Sequence, residues 1–238
     1  MGHARFAQAA SFMCAPFATT DIDIARVLKA MYDQGRELSF TGVRVSRHKS
    51  NDELSRRVAE LAGPGFERCH FVSGGSEAVK MAIKFPRQYA FAKVRKDKTK
   101  VVSCLSSYQG GTLATRGITG DVDYAMVYGD MAVFSEEIPA RLTYRIAAGV
   151  SREEAAKQAG ERLDETIRKL GADNVLAFIF EPAGGLATGA LVPHDAWFRE
   201  VRRVCSAHGV WLVFDEVMWA CRPGTFLAAH HWPDGKPD

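Results

Sequence analysis

The stretch that most narrows the possible folds is V-W-L-V-F-D-E-V-M at 210–218, where an unbroken apolar run ends in two adjacent acids. A strand with one wet face alternates apolar and polar residues. A run without alternation therefore predicts a strand covered on both faces, as in a parallel sheet with helices on either side. V-L-A-F-I-F at 175–180 reads the same way and ends at Glu181-Pro182, where the proline stops the ladder. Ligands of open parallel sheets sit beyond the carboxyl ends of the strands. Asp215 at that edge is thus placed to pair with a bound cation or a protonated ring nitrogen, the competing reading being a helix N-cap.

Other segments supply the helices that such a sheet needs. Ile24, Val27, Leu28 and Met31 share one helical face within Ile22–Tyr32. Asn51-Asp52 are expected to cap a second helix, through Leu54, Val58 and Leu61, that stops at Gly63-Pro64-Gly65. Cys69–Val72 then reads as a strand, Ser73–Ser76 as a glycine turn and Glu77–Lys84 as a helix; Val101–Leu105 is the next strand, followed by the turn Ser106–Gly111. Ser151 caps a charged helix to Leu170, with Glu154 completing a capping box, and Trp197–Ala207 is a helix before the run that opens this section. Strands alternating with helices predict an α/β fold, a mainly parallel sheet flanked by helices with right-handed connections. The expected organisation is a helical or irregular segment, residues 1–50, followed by one larger unit, residues 51–238.

Composition excludes several classes of function. A net charge of +3 with 25% charged residues gives no nucleic-acid surface, and the most basic patch, Lys93–Lys100, reads as a solvated loop. The five cysteines stand singly, which argues against a zinc site, against a disulfide framework and for a reducing cytoplasm. No segment approaches a membrane span, and no secretory signal opens the chain. No metal site is expected.

Three turns at the predicted sheet edge carry chemistry. Ser73-Gly74-Gly75-Ser76 enters a helix at Glu77, and glycines, unpaired helical N–H groups and the Ser76 hydroxyl together suit a phosphate. The spacing is neither that of a P-loop nor that of a dinucleotide fingerprint. It is close to the nucleophile elbow G-x-S-x-G, so Ser76, Asp215 and His230 or His231 also stand in serine-hydrolase order, with Ala78 in place of the last glycine. Tyr108 follows a strand and precedes Gln109-Gly110-Gly111, where its ring could stack on a flat ligand. A phosphorylated pyridine would use a phosphate cradle, an aromatic plate and two acids, Glu181 and Asp215.

The set F-V-S-G-G-S-E-A-V, S-Y-Q-G-G-T, F-I-F-E-P-A-G-G, V-F-D-E-V-M and R-P-G-T-F-L-A-A-H-H-W resembles the class III (omega-type) aminotransferases, pyridoxal-phosphate enzymes of fold type I. The likeness runs from about Asn51 to Asp238 and implies an incomplete large cofactor-binding domain. It implies that Gly75 and Ser76 bind the cofactor phosphate, that Tyr108 and Val217 cover the two ring faces, and that Gln109 lies beside them. It further implies that Asp215, the catalytic acid, keeps the pyridine nitrogen protonated, with Glu181 supporting the acid cluster. Gln109 replaces the family's usual histidine, and Trp219–Gly224 is one residue short of the family's glycine-rich loop. Leu186 stands where ornithine- and 4-aminobutyrate-type relatives often carry a glutamate, which favours an omega-amine or beta-amino-acid donor.

The resemblance also places the Schiff-base lysine on a strand after Asp238. Lys236 belongs to the turn before that strand, and Lys80 and Lys84 lie on a helix leading away from the cradle. The expectation is a half-length aminotransferase, inactive or nearly so alone, moving an amino group between an amine or amino acid and a keto acid. It would act as a homo- or hetero-oligomer with a lysine-bearing chain. The alternatives are a non-catalytic cofactor- or protein-binding relative and the serine hydrolase.

Overall fold

The computed structural model describes residues 24–42, 46–132, 135–140, 146–185, 187–221 and 224–238. The expectations for residues 1–23, for Leu186 and for Arg222-Pro223 lie outside the described residues.

Helix α1 spans Ile24–Glu37, and α2 spans Lys49–Ala62. The cap of α2 is His48, not Asn51-Asp52: its Nδ1 accepts the Asn51 N–H at 3.3 Å, the task a carboxylate or amide oxygen was expected to perform. Gly63, at φ +81°, turns the chain out of the helix. Cys69–Val72 is irregular chain. A strand needs a paired neighbour as well as apolar residues, and this stretch pairs with none of the four strands of the sheet. Helix α3, Gly75–Ala92, runs eight residues beyond Lys84 because the buried ring of Pro86 is accommodated within it, between the buried Val79 and Ala90.

Strand β1 (Lys100–Cys104) is followed by the short helices α4 (Leu113–Arg116) and α5 (Val122–Tyr128) and by β2 (Glu136–Ile138), none of which the sequence pattern announced. Helix α6 (Arg152–Leu170) starts at Ser151, whose hydroxyl accepts the Glu154 N–H. Then come β3 (Val175–Phe180), α7 (Asp195–His208) and β4 (Trp211–Phe214). The sheet order is β2-β1-β3-β4, and every pairing is parallel.

Strand β3 explains the unbroken apolar run. Its Phe178 and Phe180 pack with Trp197 and Phe198 of α7 on one face, while Leu176 and Ile179 meet Val79 and Ala90 of α3 on the other. The Phe180 and Trp197 rings stand edge to face, 4.5 Å apart. Helices α6 and α7 close tightly because Gly160 carries no Cβ; one there would fall 2.0 Å from Glu200 Cγ. The result is a three-layer fold whose strands all end at one edge.

The opposite edge is held by a single buried cation. Lys98 Nζ donates to the carbonyls of Val175 and Gly209, both at 3.0 Å, and of Ala172 at 3.2 Å. These groups sit where β1, β3 and β4 begin, so one side chain fastens three strand starts.

Candidate active site

At the carboxyl edge, α3 begins directly under Val217. A Cβ on Gly75 would sit 3.2 Å from both Val217 methyls, so glycine allows the helix start to approach that side chain. Ser76 Oγ accepts the Gly111 N–H at 3.1 Å and keeps its own proton to donate. Gly110, at φ +131°, lies on Ser76: a Cβ there would fall 2.4 Å from Ser76 Oγ. The 108–111 turn is therefore laid over the helix N-terminus, and the sequence-predicted cradle and plate share one wall.

Tyr108 is 45% exposed, with its backbone rather than its ring held: its N–H donates to Glu181 Oε2 at 3.2 Å. Gln109 is buried, its N–H donates to Thr119 Oγ1 at 3.0 Å, and its carboxamide Nε2 and Oε1 have no hydrogen-bond partner. Such an orphaned buried amide costs on the order of 1–3 kcal/mol until something supplies its bonds.

Three buried acids occupy the ends of β3 and β4. Glu181 takes the Tyr108 N–H on one oxygen and the Gly185 N–H, at 2.9 Å, on the other. Glu216 receives two amides, Ala228 at 2.6 Å and Ala229 at 2.9 Å, and so anchors the 3-10 turn Ala228–His231. Burial pushes Glu216 up to about 7, with both amides pulling the other way. Among the described residues Asp215 accepts only the Val217 N–H, at 3.1 Å, within a turn and not at a helix start, so the N-cap reading fails. Burial pushes its carboxyl up to about 7, and the charges of Glu181 and Glu216 push the same way. An acid so placed gains its charge most readily beside a cation.

The hydrolase constellation is not assembled. His230 Nε2 meets the Ala62 carbonyl at 3.0 Å, His231 Nε2 meets Thr225 Oγ1 at 3.4 Å, and Ser76 is engaged by Gly111. None of these bonds joins a serine to a histidine, because the turn carrying the histidines is pulled toward α2 and Glu216.

Sequence reasoning missed the anchoring role of Glu216, although its place beside Asp215 was a signal, and it missed Thr119, for which no local pattern exists. It placed Gly75, Ser76, Tyr108, Gln109, Glu181, Asp215 and Val217 at one sheet edge, and the contacts above join them there. A flat, phosphorylated, cationic ring fits what these residues offer: the first amides of α3 and a hydroxyl, a half-exposed phenol, an amide orphaned among the described residues and a buried acid whose described charged neighbours are acids.

Comparison with known proteins agrees with that chemistry. The profile of the family described as Aminotransferase class-III matches residues 24–238. The diaminobutyrate–2-oxoglutarate transaminase of Halomonas elongata is 31% identical over 221 residues, which cover 90% of this chain and 46% of that protein. An omega-aminotransferase of Caulobacter vibrioides is 26% identical over 198 residues, covering 82% of this chain and 45% of that one. Among solved structures, the omega transaminase of Pseudomonas jessenii in complex with PMP matches with a TM-score of 0.83 at 25% identity, over 90% of this chain and 48% of its own. The chain spans about half the length of these relatives.

Proposed function

The chain belongs to the class III aminotransferases, a pyridoxal-phosphate-dependent family, and from that premise we propose that it serves amino-group transfer between an amine or amino acid and a keto acid. The observation that carries the reading is Asp215, a buried acid at a strand end that has, among the described residues, one N–H donor and two further acids as its charged neighbours. When bound, pyridoxal phosphate supplies an electron sink for the pair left on the substrate's alpha carbon as its proton departs.

The chain's own residues have separable tasks in this reading. The first amides of α3 and the Ser76 hydroxyl hold the phosphate, Tyr108 and Val217 enclose the ring, and Asp215 keeps the ring nitrogen protonated. Gln109 and Glu181 complete the wall. Pairing with the cation stabilises the Asp215 carboxylate and offsets its burial.

The cofactor-bearing lysine, in this proposal, comes from outside these 238 residues, and alone they do not turn over. Support comes from two of the described lysines. Lys80 pairs with Glu77 on α3 at 3.2 Å, and Lys98 is committed to three carbonyls at the far edge. A partner surface is supported by unburied apolar side chains on α1 and α5, among them Met31 at 67% and Met126 at 80% exposure.

The test titrates the 238-residue chain with pyridoxal phosphate, reading tryptophan quenching and the cofactor absorption band, then treats it with borohydride. It finally assays an amine plus pyruvate with and without a lysine-bearing chain. The expected result is saturable binding, no lysine adduct at the site and turnover only in the mixture. A stoichiometric adduct at the site, or turnover by the chain alone, overturns the external-lysine proposal. Cofactor binding without turnover in any mixture favours a non-catalytic cofactor-binding relative, and absence of cofactor binding favours a protein-binding one.

A further inference from the structure

We infer that Glu181 is a positioning residue: by accepting the backbone N–H of Tyr108 and of Gly185 at once, its carboxylate ties the turn after β1 to the turn after β3 and sets where the Tyr108 ring stands relative to Asp215. The inference rests on the proposed function for what the ring contacts, and on geometry alone for the clamp.

Tyr108 gains from such a clamp because the residue is half-exposed, so packing covers only part of it. Its turn is held amide by amide instead, with Tyr108 on Glu181, Gln109 on Thr119 and Gly111 on Ser76. Thr119 lies only ten residues from Gln109, but Glu181 is 73 residues from Tyr108 and directly follows β3, which pairs with the strand that leads to Asp215. It is therefore a direct tie between the plate and the strand ends that carry the acids, beside the longer route from Gly111 through Ser76 and the start of α3 to Val217. The carboxylate fits because position 185 is glycine, where a Cβ would fall 2.8 Å from Glu181 Oε1.

The same geometry gives Glu181 a second effect. Glu181 and Asp215 follow the paired residues Phe180 and Phe214, and the Asp215 N–H donates to the Phe180 carbonyl at 2.9 Å, so a negative charge on Glu181 opposes ionisation of Asp215 and couples the clamp to the acid through charge as well as position. A glutamine would lose the charge and one of the two acceptors, because an amide nitrogen cannot receive an N–H.

Two variants separate these effects. In E181Q, amide hydrogen exchange should speed by at least about tenfold in the cofactor-free protein at whichever of Tyr108 and Gly185 then faces the amide nitrogen. The pH midpoint of pyridoxal-phosphate affinity should also move down as Asp215 ionises more easily. In G185A the charge is kept and the contact crowded, so exchange at Tyr108 should speed while the pH midpoint stays at the parent value. Unchanged exchange at both Tyr108 and Gly185 in E181Q, or at Tyr108 in G185A, overturns the clamp, and an unmoved midpoint in E181Q overturns the charge coupling. The exchange readout needs no cofactor. Failure of the parent protein to bind pyridoxal phosphate would count against the proposed function while exchange still decides the clamp.

Discussion

The two edges of the sheet each bury a charge, and they treat it in opposite ways. At the edge where β1, β3 and β4 begin, Lys98 is 4% exposed and spends its three protons on three carbonyls. At the edge where strands end, Asp215 is equally buried, yet among the described residues it receives one N–H and faces other acids. Burial opposes the charged form in both, lowering the lysine and raising the acid. A buried charge whose bonding capacity is filled from within is a fastener; one left short is waiting for a partner. Glu216 shows the same rule at the shortest range, since it adjoins Asp215 but takes two amides and holds a turn.

The largest expected effect breaks the comparison if it fails. Replacing the acid in D215N should weaken pyridoxal-phosphate binding by about 100-fold near neutral pH, the cost of leaving a cation without its buried partner. The cofactor-free variant should unfold at no lower denaturant concentration than the parent; a loss of stability would make Asp215 a fastener after all. K98M should do the reverse. Three carbonyls lose their donor, so unfolding free energy should fall by about 3 kcal/mol in urea melts, with cofactor affinity of the folded protein essentially unchanged.

A smaller effect concerns pH. Asp215 and Glu216 both have carboxyls raised to about 7 in the fold, so the native state binds their protons more tightly than the unfolded chain does. Their contribution to stability is full below the unfolded carboxylate range near pH 4 and is lost as pH rises through about 7. Asp164, lowered by its bonds to His208 and Arg168, acts in the opposite sense, so the clean measurement is a difference. Between pH 5 and pH 8 the cofactor-free parent should lose at least about 1 kcal/mol more than D215N. An identical pH dependence in the two proteins would remove Asp215 from the titration.

The smallest expected effect lies after α3, on the Lys98 side. Val94 has φ +60°, the left-handed position that ends a helix with Arg95 N–H on the Ala90 carbonyl. Glycine is the usual occupant, and the Val94 side chain is exposed, so V94G should raise stability by about 1 kcal/mol in the same melts.

Much of this was legible in residue order, for physical reasons that can be named. The apolar runs at 175–180 and 211–214 became buried strands because period and burial are local properties written along the chain. Cys69–Val72 misled because pairing is not local: an apolar stretch becomes a strand only where a neighbour offers its ladder. His48 as the cap of α2 was invisible because many side chains can present an acceptor, and only the approach angle selects one. The hydrolase order of Ser76, Asp215 and His230 or His231 was equally readable and physically empty, because order along a chain carries no distances.

By itself the sequence determined that parallel strands end at a common edge and that acids, glycines, a serine and a tyrosine stand there. Only the tertiary structure decided which acid is satisfied. That depends on how many N–H groups reach each carboxylate: Tyr108 comes from far along the chain to Glu181, Ala228 and Ala229 close onto Glu216, and among the described residues Asp215 has only Val217, two positions on.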